Sequence, residues 1–216
     1  SSPYYSPNWL PDGRIIAAKR VVKEKKGVWG NYETTYDKTF MTAMSSEGTS
    51  EADLFEVSGF MQEVVCAPDG QKIGYISSPN DEITICNYDG TGKTSIPGVS
   101  SVKYFDWSPD SAKIAYVASN KLYVTNVDGA NNILITAEAS GPVSWRVGNT
   151  ISYGYLYTIG SDGMNGKKLV SGSDPQNYSS SEVIYEGSDG VYKIGFDGSS
   201  NTKLFSIIKN THFYKF

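Results

Sequence analysis

Short alternations of apolar and polar residues, each broken by turn residues, run along the chain and recur. The stretch AKIAYVASNKLYVTNVDG (residues 112–129) runs in step with SEVIYEGSDGVYKIGFDG (residues 181–198) at an offset of 69, without a gap. Ile114 falls on Val183, Tyr116 on Tyr185, Leu122 on Val191 and Tyr123 on Tyr192, and the pair Asp128-Gly129 falls on Asp197-Gly198. Residues 71–90 fit the same frame with a loop two residues longer, and residues 149–163 with one three residues shorter. Period-two alternation bounded by Asp-Gly predicts strands joined by tight turns, with only the hairpin loop varying between copies.

A second signature precedes each hairpin: WLPDG at 9–13, CAPDG at 66–70, WSPDS at 107–111, and a degenerate WRVGN at 145–149. Proline pre-sets φ, aspartate bonds its own turn and glycine accepts a positive φ, so the motif reverses one strand into the next. Each unit then reads as strand a ending at the aromatic, strand b, a hairpin, strand c, an Asp-Gly turn and a short strand d such as residues 133–136 or 202–205. The Asp-Gly turns close at Gly90, Gly129, Gly163 and Gly198, at spacings of 39, 34 and 35. Four short strands per period of about 40 residues mark a propeller blade, whose faces must be covered by its neighbours. The alternative is an ordinary sandwich of short strands.

Five repeats are expected, with strand b beginning near Ile15, Ile73, Ile114, Ile151 and Val183. The fold class is thus all-β, a propeller of about five four-stranded blades, with truncation of a larger six-bladed or longer ring left open. In the first repeat Ile15-Ile16 mark strand b and Leu54-Phe55 are assigned to strand c. The surplus between them is placed in an inserted hairpin at about residues 19–51, within a single domain spanning 1–216. The apolar tail HFYKF (residues 212–216) is read as a strand that closes the ring or opens a sixth unit.

The pairing of W-S-P-D-G with K-I-A-Y, followed by L-Y-V-x-x-x-D-G, resembles the TolB-like propeller repeat of bacterial envelope proteins, also found in the gating domains of prolyl-oligopeptidase-type enzymes. The resemblance spans most of the chain and is strongest over residues 64–129. It implies the fold and an exported bacterial protein, periplasmic or extracellular. It leaves function open, since the repeat serves scaffolds, receptors and enzyme lids alike.

With 216 residues the chain is long enough for a core that needs neither disulfide nor metal. No stretch of about 18 apolar residues occurs, so a membrane span is not expected, and no export signal is present in this chain. A net charge of −4 argues against nucleic-acid binding.

Candidate chemistry is sparse. The one histidine, His212, is four residues from the C-terminus, and no G-x-S-x-G elbow occurs, so a serine hydrolase set is not expected. Cys66 and Cys86 fall on strands a and c, two strand spacings or about 9.5 Å apart, too far for a disulfide. They are expected to be free thiols in the core. Asp12, Asp69, Asp89, Asp110, Asp128, Asp162 and Asp197 recur in register and are assigned to backbone hydrogen bonds in turns. Oxygen ligands crowd at Asn80-Asp81-Glu82 and over residues 128–132 without calcium-loop spacing, so neither metal nor cofactor is assigned. Asp106, Glu63 and Glu182 are the acids left for a glycosidase reading, which needs a carboxyl pair about 5 to 9.5 Å apart.

The insertion departs most from the repeat. KRVVKEKKG (residues 19–27) holds five basic residues against Glu24, and VWGNYETTYDKTFMTAM (residues 28–44) follows with spaced aromatics. Alternation predicts two strands turning at about 27–31. The binding residues expected are Trp29, Tyr32 and Tyr36, with Lys23, Lys25 and Lys26 steering an acidic partner. The resulting expectation is a monomeric, non-catalytic scaffold that binds protein. A carbohydrate-binding or glycoside-cleaving propeller, and the propeller fragment of a larger peptidase, stand as alternatives.

Overall fold

The structure, a computed structural model, describes residues 4–10, 12–26, 32–57, 59–145, 148–179 and 181–206. Among these, every regular element is a strand, and twenty strands form five four-stranded antiparallel sheets, the blades of a β-propeller. Each blade is four strands consecutive in sequence. Blade 1 holds β1 (Tyr4–Trp9), β2 (Ile15–Lys26), β3 (Tyr32–Met44) and β4 (Ala52–Val57). Blade 2 holds β5 (Met61–Cys66), β6 (Lys72–Ser77), β7 (Glu82–Asn87) and β8 (Thr94–Ser95). Blade 3 holds β9 (Val102–Trp107), β10 (Lys113–Ala118), β11 (Lys121–Asn126) and β12 (Ile133–Thr136). Blade 4 holds β13 (Val143–Ser144), β14 (Thr150–Tyr153), β15 (Tyr157–Gly160) and β16 (Lys167–Lys168). Blade 5 holds β17 (Ser173–Asn177), β18 (Glu182–Glu186), β19 (Gly190–Gly195) and β20 (Thr202–Ser206).

The second strands begin at Ile15, Lys72, Lys113, Thr150 and Glu182, within one residue of the expected starts. One assignment differs. Leu54 and Phe55 lie on β4, the fourth strand of blade 1, and the third strand is β3. Residues 39–43 carry that strand's burial, with Met41 and Thr42 fully enclosed, although the segment TFMTAM lacks the Leu-Tyr-Val pattern of the other copies.

The chain divides into two compact units, one ending at Ser95 and the other beginning at Ile96. In the first, Ile16, Ala18 and Met41 of blade 1 pack on Val64, Cys66, Ile73 and Tyr75 of blade 2. In the second, Ala115, Val117, Leu122 and Val124 of blade 3 meet Trp145, Ile151, Tyr153 and Ile159 of blade 4. Leu156 of blade 4 joins Val183, Tyr185 and Ile194 of blade 5. β10 shows what covering both faces of a sheet does: its residues are buried from Ile114 to Ala118, on both alternating faces.

The repeat is also written in side chains. Tyr116 stacks on Tyr123 at 5.1 Å, Tyr153 on Tyr157 at 5.5 Å and Tyr185 on Tyr192 at 5.4 Å. The Tyr116 hydroxyl donates to Asn132 at 3.0 Å and the Tyr185 hydroxyl to Asn201 at 2.9 Å, the same 69-residue offset again. At the Asp-Gly turn of blade 2, Gly90 has φ +82° and packs so closely on blade 1 that a Cβ there would lie 2.5 Å from the Phe55 ring.

Candidate functional site

β2 and β3 run for 12 and 13 residues, where β10 and β11 run for six. β1 pairs with β2 only from Trp9↔Ile15 to Tyr4↔Lys19, and β4 pairs with β3 only from Ala52↔Ala43 to Val57↔Thr39. Beyond those limits the two long strands pair with each other alone among the described residues, out to Lys26↔Tyr32. Seven residues at the usual rise give a two-stranded ribbon about 23 Å long that outruns its own blade. Val, Thr and Tyr in alternation with charged residues suit such a ribbon.

Register decides which residues share its faces. Val22, Glu24 and Lys26 stand opposite Tyr36, Thr34 and Tyr32, whereas Lys23 and Lys25 stand opposite Thr35 and Glu33. Because alternate residues take opposite faces, Lys26 shares a face with Tyr32 and Tyr36, while Lys23 and Lys25 occupy the other face. A bulge contributes: Val21 pairs with Lys38 and Val22 with Tyr36, leaving Asp37 as an extra residue. Trp29 lies outside the described residues.

The base of the ribbon is fixed by charge. Lys19 Nζ donates to Glu51 Oε1 at 2.6 Å and to Asp53 Oδ1 at 3.1 Å, and Thr42 Oγ1 donates to the same Asp53 oxygen at 2.6 Å. The Tyr4 hydroxyl donates to Glu51. Lys19 first, and then Tyr4, hold the Glu51 carboxyl below its usual range, and the bond to Glu51 raises both Lys19 and the Tyr4 phenol. Arg20 lies over the Phe60 ring at 3.7 Å, and Lys38 Nζ pairs with Glu56 at 2.7 Å. Two of the five basic residues in 19–27, Lys19 and Arg20, thus serve the base.

The remaining candidates take structural places. All seven recurring aspartates accept the backbone N–H two residues on, from Asp12 to Arg14 N at 3.1 Å through Asp197 to Ser199 N at 2.8 Å. Asp106 is only 4% exposed; one carboxylate oxygen accepts Trp107 N and the other accepts Trp145 N, each at 2.9 Å, which ties blade 3 to blade 4. It was expected as an acid open to a ligand, and burial overrides that expectation. Glu182 pairs with Lys193 at 3.0 Å, and Glu63 sits half-buried on β5. Cys66 and Cys86 stand opposite Ile73 on either side, both buried and neither in a disulfide. Burial pushes the Cys86 thiol up to about 11. Among the described residues no three His, Cys, Asp or Glu side chains are grouped to hold a metal ion. Among the described residues no helix is long and apolar enough to cross a membrane. His212 and the HFYKF tail lie outside the described residues.

Two clefts in the second unit have no counterpart in the sequence reading. One, of about 890 Å³, runs between the turns of blades 4 and 5 beside Asp162, Lys167 and Phe196. The other, of about 250 Å³, adjoins Asp110 and Trp145. They share Asn149, the last residue of the degenerate fourth turn, and Ser161, whose N–H donates to the Asn149 carbonyl at 2.8 Å; that degenerate turn is the only local signal that could have pointed to them.

The profile of the dipeptidyl peptidase IV N-terminal region matches residues 80–150. No curated protein sequence matches the chain. Among solved structures, a putative TolB from Agrobacterium tumefaciens superposes with a TM-score of 0.67 at 16% identity, over 95% of this chain and 81% of that one. The nidogen/laminin complex gives a TM-score of 0.65 at 11% identity, over 92% of this chain and 78% of that one. A puromycin-hydrolysing peptidase from Mycobacterium tuberculosis gives 0.66 at 12% identity, over 94% of this chain but 38% of that one. At such identities the likeness is one of fold.

Proposed function

We propose that this TolB-like β-propeller, a single domain with an inserted hairpin in its first blade, is a non-catalytic scaffold that binds a protein in the bacterial envelope or outside the cell. The observation that carries the reading is the β2–β3 ribbon, which keeps its pairing for seven residues beyond the sheet that supports it. Long excursions from a compact repeat are usually functional, and a rigid propeller is a suitable mount for one. In this reading Tyr32, Tyr36 and Lys26 supply its aromatic face and Lys23 and Lys25 its basic face, with Trp29 kept as the sequence expects it. The basic face favours an acidic partner and the aromatic face supplies contact area.

The test replaces residues 22–37 by Asn-Gly, a two-residue turn that closes on the Val21↔Lys38 pair. Cross-linked capture from an envelope fraction is expected from the intact chain and not from the shortened one, with both melting alike. Capture that survives the replacement removes the ribbon from the proposal.

A second reading is favoured by the peptidase profile over residues 80–150: the propeller of a larger peptidase. It expects the encoding gene to continue past Phe216 into a domain with a Ser–His–Asp set. A gene that ends there removes it.

A further inference from the structure

Each blade ends in an edge strand, and the ribbon adds another edge among the described residues: the outer side of β3 beyond the reach of β4. β4 leaves β3 at Val57↔Thr39, and the chain then turns away through Gly59 into blade 2, so residues 32–38 of β3 pair only with β2 among the described residues. Edge strands of this kind are normally blunted by lysine, proline or shortness. Here the regular stretch before the Asp37 bulge reads Tyr32-Glu33-Thr34-Thr35-Tyr36, without glycine, proline or lysine and rich in residues that favour strands.

We propose that this edge pairs with the same edge of a second copy, giving a two-fold dimer with a continuous sheet β2-β3-β3′-β2′, in place of the monomer expected from the sequence. Two-fold antiparallel pairing requires one residue to stand opposite its own copy, because opposed residues must share a face. Pairing about Thr34, the middle of the stretch, sets Thr34 against Thr34, Tyr32 against Tyr36 and Glu33 against Thr35. Aromatic pairs and threonine pairs are favoured across strands, and no like charges meet. The other edge of the ribbon is unsuited to its own copy. Pairing the β2 stretch 20–26 about its middle sets Lys23 against Lys23 and Arg20 against Lys26. Between the two edges of the ribbon, charge therefore selects β3. The proposal concerns the backbone edge, and the binding faces in the preceding section remain open in the dimer.

Five residues a side bury much less than the roughly 1,200 Å² of a stable interface, so the association is weak and visible only as a function of concentration. The test is sedimentation velocity of the full chain from micromolar to about 1 mM, with T34K, T34E and their equimolar mixture. The intact chain is expected to move toward twice its 23.5 kDa. T34K and T34E, each setting like charges opposite each other, are expected to stay monomeric, and the mixture to associate again. That recovery excludes misfolding as the cause of the loss. An intact chain monomeric at about 1 mM, variants that dimerise as it does, or a mixture that stays monomeric overturns the proposal. Cross-linked capture by the intact chain at concentrations where it sediments as a monomer separates the two readings, since capture by the monomer leaves the scaffold reading in place whatever becomes of the dimer.

Discussion

Single side chains do here what a repeat asks of them. The seven turn aspartates were legible because Pro-Asp-Gly and Asp-Gly are local signals, read without knowing what lies across the sheet. Asp106 was not: nothing in FDWS indicates that Trp145, 39 residues on, will present its N–H to the second carboxylate oxygen. D106A leaves two buried donors without their acceptor, and a loss of about 2 to 4 kcal/mol is expected. In a chain of this size that lowers the melting temperature by roughly 5 to 12 °C, and D106N, with one acceptor oxygen, should fall between. Calorimetry of the three proteins checks the order. An unchanged melting point for D106A would mean that the blades are held together without this link.

At the scale of elements, the alternation in residues 19–44 was enough to place a hairpin and its turn. It does not give the register of the two strands. Which face Lys23 shares with which tyrosine depends on the pairing Lys23↔Thr35, set by the turn and by the bulge at Asp37, neither of which leaves a mark in composition. The same long hairpin displaced the count that put Leu54-Phe55 on the third strand. The consequence is measurable. The Asn-Gly replacement of residues 22–37 removes only strand that pairs with itself, so its melting temperature should stay within about 3 °C of the intact chain. Deleting residues 19–51 takes away Met41 and Thr42, both fully buried, with the Lys19–Glu51 clamp, and blade 1 is expected to unfold. Circular dichroism melts distinguish the two outcomes.

For the molecule as a whole, titrating groups are spread over the blades and set limits on both sides of neutrality. Arg14 holds Asp12 low, Thr91 holds Asp89 low, Ser108 holds Asp110 low and Ser199 holds Asp197 low. A depressed folded pKa contributes stability above the unfolded value that is lost as pH falls through the folded one, so the loss begins near pH 4 and deepens below it. Cys86, raised to about 11 by burial, works in the opposite sense: its contribution is complete below the unfolded value near 8.5 and is lost as pH rises toward 11. Urea midpoints are expected to hold level from about pH 5 to 8 and fall on either side, with C86A flattening the alkaline limb alone. An acid limb missing from the intact chain would sink the assignment to the turn carboxylates. The sheet order, each blade built from four successive strands, bears on synthesis as well. Among the described residues no hydrogen-bonded ladder waits for a distant part of the chain, so these pairings lie close in sequence, which favours rapid folding. A nascent chain leaving the ribosome can complete one sheet before the next is made, and within each unit a finished blade offers the following one a surface on which to form.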